Sequence, residues 1–101
     1  MPHFPSVIAM NISVRVFGNL AGTLGRKQTM ELGQGATVAT LTNRIAERAG
    51  QKRQGYLGDY KVGGEDLAIL VNGRNIQLLS GVETALHDGD EVVILPPTAG
   101  G

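Results

Sequence analysis

Apolar and polar residues alternate along two stretches near the start of the chain. The first is MNISVRVF at 10–17, in which alternate residues from Ile12 to Val16 are apolar. The second is RKQTMEL at 26–32, which is followed by a Gly-Gln-Gly breaker. Such alternation is typical of strands with one buried face, and the three glycines of the intervening GNLAGTLG indicate a loop. We therefore predict an antiparallel hairpin with a wide loop.

The spacing of apolar residues changes to three and four positions in residues 37–49. This spacing is that of an amphipathic helix. Thr37 is a suitable N-cap, because its side-chain oxygen can accept a hydrogen bond from a free backbone N–H, and Gly50 is suited to the C-terminal stop. One helix is therefore predicted after the hairpin.

A glycine-rich stretch and three short apolar segments make up the rest of the domain. Residues 51–66 contain four glycines and six charged residues, which indicates a long loop or a stretch with one short irregular element. Asn72-Gly73 and Asp88-Gly89 are turn signals, and Pro96 stops the last strand because it has no N–H to donate to a ladder. The strands predicted between these signals are LAILV at 67–71, NIQLL at 75–79 and EVVIL at 91–95.

This order of two strands, a helix and further strands predicts an α+β fold with the helix across one face of a sheet. The β-grasp (ubiquitin-like) fold is the commonest such order, and we predict it here, with a mixed sheet of four to five strands and one helix packed across it. The predicted domain covers 10–95, with an N-terminal extension at 1–9 and a flexible Gly-Gly tail at 96–101. The predicted core contains Ile12, Val14, Val16, Met30, Leu32, Val38, Leu41, Ile45, Ile69, Val71, Leu86, Val92 and Ile94.

Composition excludes several classes of protein. With 101 residues, of which 42% are hydrophobic, the chain is expected to form one folded domain. Nine basic residues balance nine acidic ones, so we expect no binding to nucleic acid or to a membrane. The absence of cysteine excludes disulfides and a cysteine nucleophile. No secretion signal or long apolar run stands out, and the expected location is the cytoplasm.

The polar residues form no recognisable catalytic or metal-binding motif. His3 and His87 have no second ligand at metal-binding spacing. No serine lies in a G-x-S-x-G elbow, and GNLAGTLG lacks the lysine of a phosphate-binding loop. Asp88, Asp90 and Glu91 cluster at a turn, where aspartate is favoured for its hydrogen bonds to the backbone. We predict no metal site, no bound cofactor and no catalytic residue.

The C-terminal sequence ILPPTAGG is the remaining candidate for chemistry. Its two prolines favour an extended path, and the six residues from Pro96 onward span about 20 Å at roughly 3.3 Å per residue. Gly100 and Gly101 have no side chains, so they could pass through a narrow channel and present the terminal carboxylate to a partner's active site. Activation by ATP would open this carboxylate to attack by a thiol, an amine or a sulfide. The alternative is a chance Gly-Gly ending or a cloning remnant.

The end of the chain also resembles a known family. Gly89 to Val92 (GDEV) followed by ILPPTAGG is similar to the C-terminal signature of the MoaD/ThiS family of ubiquitin-like sulfur carriers. Within this family, the double proline is more like the small subunit of molybdopterin synthase and the archaeal small modifiers than the thiamine-pathway carrier. Val14 to Phe17 (VRVF) and Leu20 to Gly22 (LAG) are similar to the family's first strand and following loop. The resemblance covers residues 10–101.

The resemblance implies a role for the terminal glycine. Gly101 would be adenylated by a ubiquitin-activating-type adenylyltransferase, which uses the ATP, and would then become a thiocarboxylate. The sulfur would pass to the large subunit of molybdopterin synthase, in molybdenum or tungsten pterin cofactor biosynthesis, or to another acceptor. The residues implied to lie in the partner's channel are Pro96, Pro97, Thr98, Ala99 and Gly100.

Strand alternation adds a predicted docking face. If Val92 and Ile94 point inward, then Val93 and Leu95 point outward beside Phe17. An exposed apolar patch on a small domain is more often an interface than an accident. The predicted partner-binding face consists of Phe17, Leu70, Ile76, Val93 and Leu95, although Ile76 is equally suited to the core.

Three functions remain open at this point. The first is a sulfur carrier that acts as a non-catalytic partner of a sulfurtransferase. The second is a protein modifier joined to lysines through Gly101. The third is a β-grasp interaction module with an inert tail.

Overall fold

The computed structural model of the chain describes residues 9–51 and 53–97. Within these ranges the strands are β1 (Ala9–Val16), β2 (Lys27–Gly33), β3 (Tyr56–Leu57), β4 (Tyr60–Lys61), β5 (Ala68–Val71), β6 (Arg74–Asn75) and β7 (Glu91–Leu95). The helices are α1 (Ala21–Leu24) and α2 (Val38–Arg48), and 3₁₀ turns cover Gly18–Leu20, Ile76–Leu78 and Gly81–Glu83. Residues 1–8 of the predicted extension and residues 98–101 of the predicted tail lie outside the described ranges.

β1 and β7 lie next to each other inside a five-stranded sheet with the order β2-β1-β7-β5-β6. β1 is antiparallel to β2 and parallel to β7, and β5 is antiparallel to both β7 and β6. β3 and β4 form a separate small hairpin. A mixed sheet of this order, with a helix packed against it, is the predicted α+β β-grasp arrangement, and this prediction is confirmed.

α2 begins and ends at the predicted signals. The Thr37 side chain accepts a hydrogen bond from the Thr40 N–H, and the Thr40 hydroxyl accepts one from the Thr37 N–H, which together form a capping box. Gly50 follows the helix with a φ of 77°, a left-handed conformation that glycine adopts without strain. The described part of the chain contains no helix long and apolar enough to cross a membrane.

Every residue of the predicted core is buried. Alternation along the strands and the helical spacing of α2 direct these side chains to one side of the sheet. The core also includes residues beyond those predicted, which come from loops, strand ends and both helices. Buried apolar residues that were not predicted are Met10, Leu20, Leu24, Ala36, Ala46, Leu57, Leu67 and Ile76.

The prediction of a loop for GNLAGTLG at 18–25 is wrong, because this segment is largely helical. It forms the 3₁₀ turn Gly18–Leu20 and then α1. Leu20 and Leu24 lie four positions apart, so one helical face carries both into the core, where each is buried. Burial of the two leucines therefore outweighs the conformational freedom of the glycines.

The strand predicted at 75–79 is also largely wrong. β6 ends at Asn75, and Ile76–Leu78 forms a 3₁₀ turn. The Asn75 side chain accepts a hydrogen bond from the Gln77 N–H at 2.9 Å, which satisfies the free N–H at the start of the turn. The turn rotates Ile76 into the core, where it is 2% exposed.

The glycine-rich stretch 51–66, predicted to be either a long loop or a stretch with one short irregular element, carries the β3–β4 hairpin and contributes to the core. Leu57 is fully buried, and Tyr60 packs against the core. Gly58 lies against Leu20, and an added Cβ would be 2.7 Å from the Leu20 Cδ2. The β3–β4 hairpin therefore packs against the helical segment that joins β1 to β2.

Leu57→Ala is expected to lower the free energy of unfolding by about 2–5 kcal/mol, because truncation of a fully buried leucine leaves a cavity. Leu78→Ala is the matched control, since this leucine is 81% exposed. Its effect should stay within about 0.5 kcal/mol. Urea unfolding of the two variants measures the difference, and equal losses would contradict the placement of Leu57 in the core.

Candidate functional site

The C-terminal tail leaves the sheet from a fixed point at the end of β7. The Phe17 N–H donates a hydrogen bond to the Ile94 carbonyl at 3.0 Å, which continues the pairing of β1 with β7. Pro96 then packs on Gly18, and a Cβ at Gly18 would lie 2.9 Å from the Pro96 Cγ. The φ of Gly18 is +70°. A glycine at this position therefore gives Pro96 the room to lie against the end of β1.

The described tail ends at Pro97, which is exposed, whereas Pro96 is half-buried. The predicted tail residues Thr98, Ala99, Gly100 and Gly101 lie outside the described residues. Their roles in a partner's channel, and the role of Gly101 as the site of attachment, therefore stay predictions.

An apolar patch lies beside the start of the tail, on the face of the sheet opposite the core. Val93 is the partner of Leu70 across β5 and β7, and Leu95 is the partner of Ala68. Phe17 follows the pair formed by Val16 and Ile94, so it is next to Leu95 on the same face. We call the five residues Phe17, Ala68, Leu70, Val93 and Leu95 the outer patch.

The residues of the outer patch are accessible to a partner. Phe17 is 42% exposed. Ala68, Leu70, Val93 and Leu95 are half-buried by their neighbours in the sheet. The structure therefore brings together four of the five residues predicted for the partner-binding face, and the role of this face stays a prediction.

The prediction that Ile76 belongs to the partner-binding face is wrong, because its side chain is 2% exposed and belongs to the core. A strand through 75–79 would have alternated its side chains between the two faces, but the 3₁₀ turn ends this alternation. The sequence alone left both placements open. The hydrogen bond from the Gln77 N–H to the Asn75 side chain favours the turn.

Arg15 is a neighbour of the outer patch that was not singled out from the sequence. Its guanidinium carbon is 5.3 Å from the centroid of the Phe17 ring, within the range of a cation–π contact. Its Nη1 is 3.9 Å from the Glu91 Oε2. Alternation alone could have found it, because Arg15 and Phe17 are two positions apart on one strand face.

Asp88 and Asp90 near the second turn accept hydrogen bonds, mostly from backbone N–H groups, in agreement with their predicted structural role. The Asp88 Oδ1 accepts a hydrogen bond from the Asn11 N–H at 2.7 Å. Asp90 accepts bonds from the His87 N–H at 2.8 Å and from the Asn72 Nδ2 at 2.9 Å. Within residues 9–51 and 53–97, no group of three or more histidine, cysteine, aspartate or glutamate side chains could hold a metal ion.

Comparison with known proteins gives the family. The model of the ThiS family matches residues 14–101, from the middle of β1 to the terminal Gly-Gly. The chain belongs to the ThiS family. The resemblance to ubiquitin-like sulfur carriers is therefore confirmed, and the chain is related to the small archaeal modifiers and to subunit 1 of molybdopterin-converting factor.

Two curated proteins resemble this ThiS family member. A candidate sulfur carrier protein of Archaeoglobus fulgidus is 38% identical over 66 residues, which cover 65% of this chain and 67% of the relative. Small archaeal modifier protein 3 of Haloferax volcanii is 54% identical over 33 residues, which cover 33% of this chain and 36% of the relative.

Solved structures share the fold of this ThiS family member over almost its whole length. The solution structure of the HVO 2177 protein of Haloferax volcanii has a TM-score of 0.73 and 27% identity, covering 100% of this chain and 94% of that one. A complex of subunits 1 and 2 of molybdopterin-converting factor from Helicobacter pylori contains a match with a TM-score of 0.58 and 26% identity, covering 91% of this chain and 100% of that one.

Gly18→Ala is expected to destabilise the domain and to loosen the start of the tail. The new Cβ meets Pro96, and a non-glycine residue at positive φ adds a cost of about 1 kcal/mol or more. Gly35→Ala is the matched control, because Gly35 has a φ of +91° but no atom within 4 Å of an added Cβ. Urea unfolding should show the larger loss for Gly18→Ala.

Amide hydrogen exchange at Phe17 separates the effect on the tail from a global loss of stability. Exchange there should be faster in Gly18→Ala than in Gly35→Ala, because the bond to the Ile94 carbonyl lies next to the crowded position. Equal stability and equal exchange in the two variants would show that Gly18 does not position Pro96.

Proposed function

We propose that this chain is a sulfur carrier whose terminal carboxylate, on Gly101, is adenylated and then converted to a thiocarboxylate. The observation that supports this proposal best is the placement of the tail. It starts at a fixed point, where Pro96 packs on Gly18, directly beside the outer patch. A partner that binds the patch would therefore hold the start of the tail at a constant distance from its own active site.

The proposed chemistry needs no catalytic group in the carrier. An oxygen of the Gly101 carboxylate attacks the α-phosphorus of ATP in the active site of a ubiquitin-activating-type enzyme, and pyrophosphate leaves. Sulfide (HS⁻) then attacks the carbonyl carbon and loses its proton, and AMP leaves with the carboxylate oxygen that bridged to phosphorus. Sulfur remains on the carbonyl carbon, so the carrier needs no cysteine, and the chain has none.

The length and composition of the tail suit this reaction. Six residues from Pro96 to Gly101 span about 20 Å when extended. The two prolines restrict the first part of this path, and the two glycines present no side chain to the walls of a channel. In this proposal the folded domain binds the partner, and the tail carries the reacting atom.

We further propose that the sulfur is used in molybdenum or tungsten pterin cofactor biosynthesis. The supporting observation is the likeness to the Helicobacter pylori complex, in which subunit 1 of molybdopterin-converting factor is bound to subunit 2. The acceptor would then be the large subunit of molybdopterin synthase. The carrier itself would supply the thiocarboxylate and the docking surface, and the large subunit would supply the catalytic groups.

A second candidate function is that of a protein modifier. The observation in its favour is the local identity of 54% to small archaeal modifier protein 3. In this case a lysine amine of the target attacks the adenylated Gly101 carbonyl, AMP leaves, the amine loses a proton, and an isopeptide bond forms. Both functions share the adenylation step and differ in the nucleophile that follows it.

Deletion of Gly101 is expected to abolish adenylation, because activation requires the carboxylate at a fixed reach. Addition of one residue after Gly101 should do the same. ATP–pyrophosphate exchange with the activating enzyme from the same genome measures this step. The thermal unfolding midpoint should stay unchanged in both variants, because the core ends at Ile94. Exchange that survives the deletion would refute Gly101 as the activated residue.

A further inference from the structure

Three basic residues surround one cavity at the end of β1. Arg15, Arg26 and Lys27 line it together with Phe17 and Gly18, and its volume is about 370 Å³. The register of the hairpin explains the cluster, because Arg15 is the direct partner of Lys27 across β1 and β2. The cavity therefore lies where the paired ends of β1 and β2 meet the segment that connects them.

The positive charge at this cavity is local and largely uncompensated. The chain as a whole has equal numbers of basic and acidic residues. Arg15 is paired with Glu91 at 3.9 Å, but both side chains are about half exposed, with a relative exposure of 48% each. Such a pair is weak in water. Of the ion pairs between described residues, none involves Arg26 or Lys27.

The cavity is continuous with the surface that the proposed function assigns to the partner. Phe17 belongs to the outer patch and also lines the cavity. Gly18 lines the cavity and carries Pro96 at the start of the tail. The Arg15 guanidinium lies over the Phe17 ring. A protein that covers the outer patch therefore brings its own side chains to the mouth of the cavity.

The position of the cavity argues against the nucleotide of the activation reaction as its ligand. ATP reacts with the carboxylate of Gly101, which an extended tail carries about 20 Å from Pro96. The cavity lies at the other end of this spacer, beside Gly18. The anion that meets these three cations is therefore expected on the docking surface of the partner.

We propose that the Arg15–Arg26–Lys27 cavity binds an aspartate or glutamate side chain of the activating enzyme. This inference rests on the proposed function and names the chemistry of its partner. Charges at the rim of an interface act mainly by steering association, and this effect falls as salt screens it. The outer patch supplies an apolar contact that salt does not screen, and the cavity supplies the charge complementarity.

The double variant Arg26→Glu/Lys27→Glu tests the proposal. Both side chains are exposed and neither forms an ion pair with a described residue, so charge reversal breaks no salt bridge of the described chain. The matched control is Arg44→Glu/Arg48→Glu, which makes the same charge change on exposed positions of α2. Thermal unfolding should confirm that both double variants are folded.

Steady-state ATP–pyrophosphate exchange with the activating enzyme is measured at 50 mM and 500 mM NaCl. Charges are screened much more strongly at the higher concentration. We expect Arg26→Glu/Lys27→Glu to raise KM about tenfold at low salt with little change in kcat, and we expect this gap to shrink at high salt. Phe17→Ala should raise KM at both salt concentrations. Arg44→Glu/Arg48→Glu should resemble the unaltered chain.

The outcomes separate this inference from the proposed function. If the unaltered chain is activated and the cavity variant behaves like the α2 control, the inference fails and the proposed function stands. If the unaltered chain is not activated at all, the proposed function fails, and a direct binding measurement then decides about the cavity.

That measurement follows the backbone amide shifts of the isotope-labelled chain during titration with a short glutamate-rich peptide. We expect shifts at Arg15, Phe17, Gly18 and Lys27, and none with the glutamine counterpart of the peptide. Shifts caused by inorganic phosphate but not by the peptide would assign the cavity to small anions and overturn the proposal. The absence of shifts with either probe would also overturn it.

Discussion

The parallel pairing of β1 with β7 is the contact on which the rest of the structure depends. It joins Ser13–Val16, near the start of the domain, to Glu91–Ile94, near its end. Parallel neighbours need a long crossover, and here the whole intervening segment, including α2, provides it. One side of the paired strands shares a buried core with α2, and the other side carries Phe17 and Leu95. A single register therefore fixes both the core and the outer patch.

The same pairing determines where the tail begins. The last hydrogen bond of this pairing runs from the Phe17 N–H to the Ile94 carbonyl. Immediately beyond it, Pro96 packs on Gly18. The domain thus provides a rigid base, an apolar surface and a cationic cavity at one end of the sheet. In the proposed function the reacting atom is at the far end of the spacer, so binding and chemistry are divided between two parts of the chain.

Much of this arrangement could be predicted from the sequence, because alternation assigns each residue of a regular strand to one face. This is why the buried side of β7 and the outward positions of Val93 and Leu95 were predicted together. Ile76 was not settled, because a side-chain hydrogen bond from Asn75 competes locally with strand pairing. The cationic cavity was missed because Lys27 meets Arg15 only through the register of the hairpin, which depends on a connection that proved helical.

The most direct test of sulfur-carrier function is the intact mass of the chain after coexpression with its activating enzyme in cells supplied with sulfur. A thiocarboxylate on Gly101 replaces one oxygen atom by one sulfur atom, and the mass should increase by that difference. Fragmentation should locate the gain on the C-terminal residue, and deletion of Gly101 should abolish it. A mass that remains that of the unaltered chain, or one found only in conjugates to lysine, would contradict the assignment of this protein as a sulfur carrier.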